Sequence, residues 1–186
     1  KKQKDFLTLS QRFLLRKESK KQLIGTNSIK MKVLLTGTSG FIGKNFLELV
    51  PKDIEIIGIY NKSSDIENFV KERNLSNVKL YKCDLTKKED IDLLLKKIGK
   101  DFEYCIFLAG NVDVPLSITN PAEDIKFTIN TIINLLQSCN KIGRLVYMST
   151  AGVYDSIKGK VTVDAKLNPI VPYCISKLMA EQYVKF

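Results

Sequence analysis

The segment from Met31 to Val50 reads MKVLLTGTSGFIGKNFLELV, an apolar run followed by a glycine-containing loop and an amphipathic run. The apolar run Lys32–Thr36 is typical of a strand buried on both faces, as in a parallel sheet. Gly37, Gly40 and Gly43 follow it, and such glycines permit a tight turn and close approach of the backbone to a phosphate. The segment therefore predicts a phosphate-binding loop at the start of a βαβ unit.

The rest of the chain repeats this alternation of short β-rich runs and helical patterns. Further strands are predicted at Ile54–Tyr60, Val78–Tyr81, Tyr104–Leu108 and Leu145–Ser149. Helices are predicted to begin near Phe41, Asp65, Lys87, Pro121 and Tyr173. The pattern predicts an α/β fold, a doubly wound Rossmann-type parallel sheet with helices on both faces. Ligands of such sheets bind beyond the carboxyl ends of the strands.

The positive charge of the chain is unevenly distributed. Of the net charge of +10 over 186 residues, +7 lies in residues 1–30, which hold nine Lys or Arg against Asp5 and Glu18. The other 156 residues carry +3, so a nucleic-acid partner is not expected. We predict a basic N-terminal extension or upstream segment at 1–30 and one domain at 31–186.

The cysteines and the apolar runs exclude two other classes of protein. Cys83, Cys105, Cys139 and Cys174 are widely separated, and the chain has no histidine, so no metal site is predicted. No apolar run approaches the ~18 residues that a membrane span needs, so no membrane partner is expected. A reducing, cytoplasmic location follows by default.

Five segments in order resemble the extended short-chain dehydrogenase/reductase family, the NAD(P)-dependent sugar-nucleotide epimerases and dehydratases. They are TGTSGFIG, CDL, FLAGNVDVPLSITNP, YMSTAGVY and PYCISKLMAEQYV. The resemblance implies that residues 31–186 form the NAD(P)-binding Rossmann domain, the cofactor half of a longer enzyme that is cut before its substrate-binding lobe.

The resemblance also implies a catalytic set in a chain without histidine. Tyr173 would accept the proton of the substrate hydroxyl, and Thr150 would hold that hydroxyl by a hydrogen bond. Lys177 would bind the nicotinamide ribose. Residues four apart lie on one helix face, so the Lys177 ammonium can lower the pKa of the Tyr173 phenol through its charge.

The cofactor residues implied by the resemblance line the loops after four strands. They are Gly37, Thr38, Ser39, Gly40, Phe41, Ile42, Gly43, Asn61, Lys62, Asp84, Leu85, Leu108, Ala109, Gly110 and Lys177. Asp84 would contact adenine. NAD-preferring members end the second strand with an acidic residue, but here Tyr60 is followed by Asn61 and Lys62. The cofactor is therefore NAD or NADP, with a slight preference for NADP.

Besides the end of the second strand, three further features depart from the family pattern. Phe107 replaces the usual histidine. Either Thr128 or Asn130 would have to fill the role of the family's helical asparagine, and the choice stays open. Ala151 and Gly152 stand where dehydratases carry an Asp-Glu pair.

These residues predict an NAD(P)-dependent epimerase or keto-reductase acting on a nucleotide sugar. The alternatives are a sugar-nucleotide dehydratase and a non-catalytic NAD(P)-binding regulatory protein of the same fold. A homodimer is expected through the helices that start near Pro121 and Tyr173.

Overall fold

A computed structural model describes residues 31–155, 157 and 159–186. These residues form one sheet of five parallel strands with the order β3-β2-β1-β4-β5. The strands are β1 Lys32–Thr36, β2 Glu55–Tyr60, β3 Val78–Lys82, β4 Asp101–Phe107 and β5 Lys141–Tyr147. The predicted parallel α/β fold is confirmed, whereas the prediction for 1–30 lies outside the described residues.

Seven α-helical segments connect or follow the strands. They are α1 Phe41–Leu49, α2 Asp65–Glu72, α3 Lys88–Ile98, α4 Val114–Thr119, α5 Pro121–Ile125, α6 Thr131–Ser138 and α7 Pro172–Lys185. A π-helical turn at Lys126–Asn130 joins α5 to α6, and a 3-10 helix spans Ala151–Tyr154.

The strand order places β1 at the centre of the sheet, between β2 and β4. Leu34 of β1 lies opposite Ile57 on one side and Cys105 on the other. The chain moves from β1 through β2 to β3 in one direction, then returns to add β4 and β5 in the other direction. The ends of β1 and β4 thus form the switch point, where sheets of this type bind their ligands.

The core lies between the sheet and the helices that cover it. Right-handed crossovers place α1 and α2 on one face and the helices after β3 and β4 on the other. On the second face, Leu34 and Phe107 of the sheet pack in one cluster with Ile91, Ile132 and Ala180 of the helices. All five side chains are completely buried. This continuous core holds the strand ends in fixed positions.

The last two strands differ from their predicted bounds. β4 begins at Asp101, earlier than predicted, because Asp101 pairs with Lys141 of β5. β5 runs from Lys141 to Tyr147, so Ser149 lies in the loop after it. β5 is an edge strand with several exposed residues, and its backbone pairing is not visible as an apolar run. Helix α4 was not predicted, because it has only six residues.

Residues 121–138 form one helical path that contains the π-helical turn. The turn keeps Thr128 buried and leaves Asn130 exposed. The Thr128 hydroxyl donates to Asp124 Oδ1 at 3.5 Å. Of the two candidates for the asparagine role, Asn130 therefore lies on the outer face, as the helical spacing predicts.

Candidate active site

The glycine loop lies at the switch point and is shaped by backbone contacts. Gly37 has a φ of +70°, in the left-handed region that glycine adopts without strain. A Cβ atom on Gly37 would lie 2.9 Å from Ala109 N, so the loop packs directly on the chain that follows β4. A Cβ atom on Gly43 would lie 2.4 Å from Gly37 O. The loop and the first turn of α1 thus have almost no space between them.

The N-terminus of α1 opens towards solvent beside this loop. Its N-cap, Gly40, provides no side-chain cap, and Phe41 is 84 % exposed. The first N–H groups of a helix have no partner within the helix, and they attract anions together with the helix dipole. The N–H groups in this first turn of α1 can therefore bind an anion, and Ser39 is half-buried next to them.

The side chains of Thr36 and Thr38 fix the glycine loop. The sequence did not indicate a structural role for either side chain. Thr36 Oγ1 accepts hydrogen bonds from the backbone N–H groups of Leu108 and Ala109, both at 3.1 Å. It thereby joins the end of β1 to the end of β4. Thr38, predicted to bind the cofactor, is fully buried, and its hydroxyl donates to Ile59 O at 3.0 Å. The Thr38 side chain holds the loop against β2.

The end of β2 carries carboxylates as well as the predicted Lys62. The Tyr60 hydroxyl donates to the Glu67 carboxylate, and this bond and burial raise the pKa of Tyr60. Lys62 is exposed, and Asn61 is half-buried. Asp65 accepts a hydrogen bond from the Ser63 hydroxyl and forms an ion pair with Lys44. The end of β2 is therefore bordered by charges of both signs, with Asp65 ion-paired to Lys44 and Glu67 bonded to the Tyr60 hydroxyl.

Asp84 follows β3, and both of its hydrogen bonds from Thr86 go to the same carboxylate oxygen. Its Oδ1 accepts from the Thr86 amide at 3.0 Å and from the Thr86 hydroxyl at 2.8 Å. Burial raises the pKa of Asp84, but the bonds from Thr86 outweigh it and hold the pKa below its usual value. The side chain of Leu85 lies in the core, and its carbonyl accepts from Asn134 Nδ2 at 3.1 Å.

The three predicted catalytic residues come together after β5 and at the start of α7. The Thr150 hydroxyl caps the 3-10 helix by accepting from the Gly152 amide at 3.2 Å, and it also hydrogen-bonds the Tyr173 phenol. Burial raises the pKa of Tyr173, and the bond from Thr150 partly offsets this. Thr150 and Tyr173 can therefore act on one substrate hydroxyl.

Lys177 lies one turn after Tyr173 and is only 5 % exposed. Its Nζ donates to Met148 O at 3.3 Å and lies 5.8 Å from the centre of the Tyr173 ring. The same atom lies 3.3 Å from where a Cβ of Gly110 would be, at the end of the chain segment after β4. The Lys177 ammonium thus lies between the Tyr173 ring and the predicted cofactor groove beside Gly110.

Ser117 positions α7 and was not identified from the sequence. It is fully buried on α4, and its hydroxyl accepts from the backbone N–H of Tyr173 at 3.1 Å. The same hydroxyl donates to Val114 O at 2.7 Å. The only sequence signal for Ser117 is that the segment FLAGNVDVPLSITNP, which contains it, resembles the family. That resemblance assigned no role to Ser117. The bond fixes the first turn of α7, and with it the Tyr173 ring.

Residues 31–155, 157 and 159–186 contain little that would support metal-ion or thiol chemistry. They contain no group of three His, Cys, Asp or Glu residues that could hold a metal ion. All four cysteines are free, and burial raises the pKa of Cys139 to about 11 and that of Cys83 to about 12. None of the helices in this described part is long and apolar enough to span a membrane. The cytoplasmic location stays a prediction.

The comparison with known families agrees with this geometry. The sequence profile described as the NAD dependent epimerase/dehydratase family matches residues 33–185. The chain belongs to this family. The predicted resemblance to the sugar-nucleotide epimerases and dehydratases is confirmed.

Individual members of the epimerase/dehydratase family resemble the chain over most of its length. A putative UDP-glucose 4-epimerase of Methanocaldococcus jannaschii is 29 % identical over 159 residues, which cover 82 % of this chain and 50 % of the relative. The structure of UDP-N-acetylglucosamine 4-epimerase from Methanobrevibacter ruminantium M1, in complex with UDP-N-acetylmuramic acid, has a TM-score of 0.72 at 27 % identity. It is matched over 84 % of this chain and 50 % of its own.

A third member of the epimerase/dehydratase family is a UDP-glucose 4-epimerase from Bifidobacterium longum, solved in complex with NAD+ and UDP. Its TM-score is 0.71 at 26 % identity, over 83 % of this chain and 48 % of its own. The chain therefore spans about half the length of the relatives that it matches.

Proposed function

We propose that the chain is the cofactor-binding part of an NAD-dependent enzyme that epimerises or reduces a nucleotide sugar. The observation that carries this proposal is the convergence of Thr150, Tyr173 and Lys177 beside Gly110. This cluster lies beyond the carboxyl ends of β4 and β5, next to the glycine loop. Membership of the family and the UDP-sugar epimerases among its relatives support the same activity.

The residues at the strand ends fit a dinucleotide. The pyrophosphate would lie on the amides of residues 40–43, the adenine near Asp84, and the nicotinamide ribose near Lys177. When bound, the nicotinamide ring supplies the acceptor for a hydride. Leu108, Ala109 and Gly110 would form the wall between these positions, and Thr36 fixes the first two by accepting from their amides.

We propose that this dinucleotide is NAD. The Glu67 carboxylate near the end of β2 would repel a 2′-phosphate, and the relative from Bifidobacterium longum was solved with NAD+. The preference for NADP that Lys62 indicates stays a prediction, and the Glu67 carboxylate weighs against it.

Tyr173 would accept the proton from the substrate hydroxyl while Thr150 holds that hydroxyl. A buried phenol is a poor base, because burial disfavours its anion. In the proposed mechanism the positive charge of Lys177, whose Nζ lies 5.8 Å from the centre of the Tyr173 ring, would counteract this effect. With a protonated Lys177 beside it, Tyr173 can take up and return one proton in each catalytic cycle, which an epimerisation requires.

Epimerisation or keto-reduction is favoured over dehydration. Dehydration needs an acid and a base beside the threonine, but Ala151 and Gly152 have no titratable side chain. A non-catalytic NAD-binding protein of the same fold is the second candidate. The assembled Thr150, Tyr173 and Lys177 cluster favours the enzyme.

A homodimer through α7 and the helical path 121–138 is part of the proposal. Ile175, Met179 and Tyr183 lie four residues apart on α7 and are 45–46 % exposed. Residues at this spacing form one stripe, and Ile125 on α5 is 44 % exposed as well. Such an apolar surface suits a helix from a second copy.

The test is Tyr173→Phe in the full-length protein. Turnover of UDP-sugars should fall by about 10² to 10⁴, the usual contribution of an acid-base group, because the ring still packs but the proton acceptor is lost. Titration should show that the variant and the unmodified protein bind NAD equally well, and more tightly than NADP.

Tyr81→Phe, which removes the hydroxyl of a tyrosine on β3 outside the cluster, is the control and should keep full turnover. Near-normal turnover by Tyr173→Phe would exclude the tyrosine as the base. NAD binding without turnover of any UDP-sugar by the unmodified protein would favour the non-catalytic candidate.

A further inference from the structure

Two charged side chains are buried in the described part of the chain, and they have opposite signs. Asp124 on α5 is 0 % exposed, and Lys177 on α7 is 5 % exposed. A buried charge is costly unless a partner of opposite charge or several hydrogen bonds compensate for it. The buried negative charge of Asp124 therefore needs a compensating partner.

Neutral donors hold only one oxygen of Asp124. Its Oδ1 accepts from Asn111 Nδ2 at 2.8 Å and from the Thr128 hydroxyl at 3.5 Å. Asn111 is itself fixed by Asp113, since its Oδ1 accepts from the Asp113 amide at 2.9 Å. Asp124 Oδ2 is buried and has no hydrogen-bond partner. One carboxylate oxygen thus remains for a further donor.

Lys177 has donors to spare. Its ammonium carries three protons, and Nζ donates to Met148 O. The rest of its surroundings are aromatic, with Nζ at 5.2 Å from the centre of the Tyr147 ring and 5.8 Å from that of Tyr173. Burial lowers the pKa of Lys177, and the negative charge of Asp124 opposes this effect. Asn111, which donates to Asp124, directly follows Gly110, and a Cβ atom on Gly110 would lie 3.3 Å from Lys177 Nζ, so both buried charges lie next to this short segment.

We propose that Asp124 is the counter-ion of Lys177 and acts as its positioning residue. The carboxylate keeps the ammonium charged inside a largely apolar site and holds it towards the groove beside Gly110. This inference rests on the proposed function, in which a charged Lys177 supports Tyr173 and binds the cofactor ribose.

The other titratable groups near this pair are accounted for. Burial is the main cause that raises the pKa values of Tyr147 on β5 and of Tyr173 and Cys174 on α7, and the negative charge of Asp124 raises them further. Asp155 acts on Cys174, and Glu181 acts on Tyr147. At neutral pH the two phenols and the thiol are uncharged, because each of their pKa values is raised above its usual value. Asp124 is thus the group whose charge directly supports that of Lys177.

The first test measures the pKa of Lys177 itself in isotope-labelled protein by NMR, with its signal assigned through Lys177→Met. Asp124→Asn should lower this pKa by roughly one unit or more, the usual effect of removing a close opposite charge. Glu123→Gln removes the same charge from the neighbouring position of α5 and should leave the pKa unchanged. An unchanged pKa in Asp124→Asn would overturn the proposal. The measurement needs no turnover, so its outcome is independent of the proposed function.

The second test applies if Asp124→Asn alone fails to fold. Removal of one partner leaves an uncompensated buried charge, whereas removal of both is often tolerated. The double variant Asp124→Asn, Lys177→Met should therefore unfold cooperatively, and its thermal midpoint should fall by less than the sum of the two single changes. Additive losses, or a double variant that remains unfolded, would show that the two charges do not depend on each other.

Discussion

At the residue scale, the glycines of the loop at the end of β1 have different physical tasks. Gly37 adopts a left-handed conformation, whereas Gly43 is required because the backbone of Gly37 and Thr38 passes directly over it. A Cβ atom on Gly40 would lie 3.3 Å from Gly37 O, a tight but adjustable distance. The glycine spacing was visible in the sequence, but these separate tasks depend on distances between atoms.

The residue-scale prediction compares Gly43→Ala with Gly40→Ala. Gly43→Ala should lower the free energy of unfolding by about 1 to 3 kcal/mol, because its Cβ meets backbone atoms that cannot move aside. Gly40→Ala should cost less, about 1 kcal/mol, because the φ of Gly40 is −75° and its Cβ would meet only Gly37 O, at 3.3 Å. Urea unfolding of both variants measures the difference. Equal losses would mean that the close approach at Gly43 is not what limits this position.

At the element scale, the sequence was informative where a strand or helix carries its own pattern. β1 and α1 begin at the predicted residues, because each shows its apolar pattern over the whole element. β5 was misplaced, since an edge strand with exposed Lys141 and Arg144 is defined by its pairing with β4. Helix α4 was not found, because six residues are too short for a helical period to stand out.

The candidate site follows the same division. Tyr173 and Lys177 could be predicted, because both lie on one helix at a fixed spacing. Their supports could not, since Ser117 and Asp124 reach α7 from other helices. Hydrogen bonds and charges between elements that are distant in the sequence leave no periodic signal.

The element-scale prediction concerns the contact between α4 and α7. Ser117→Ala leaves the backbone N–H of Tyr173 without its partner and should cost about 1 to 2 kcal/mol of stability. It should also reduce turnover several-fold in the full-length protein, because Tyr173 lies in the first turn of α7. Thr119→Ala, at an exposed position of the same helix, is the control and should change neither quantity. Full turnover in Ser117→Ala would limit Ser117 to a role in folding.

At the scale of the whole molecule, the residues proposed to bind the cofactor and to act on the substrate lie at one edge of the sheet. The glycine loop, Asp84, Gly110 and Thr150 all follow the carboxyl ends of strands, so the fold assembles them without further elements. The apolar stripe on α7 lies on the opposite side of that helix from the buried Lys177 and Ala180. One helix thus presents the proposed catalytic pair inwards and the proposed dimer surface outwards.

The whole-molecule prediction tests that surface. Met179→Lys places a charge in the middle of the apolar stripe and should convert a dimer into monomers, as measured by sedimentation velocity. Leu93→Lys is the matched control, because Leu93 is 65 % exposed on α3, away from the stripe, and should leave the dimer intact. A Met179→Lys variant that stays dimeric would exclude α7 as the interface.

The edge strand β3 bears on how copies of this domain can associate. Its outer residues include the exposed Lys79 and Lys82, and Lys79 is ion-paired with Glu55 of the neighbouring strand. A strand from another copy could pair there only by bringing these ammonium groups close to its own, and lysines on an edge discourage such pairing. This edge of the sheet is thereby protected from amyloid-like stacking.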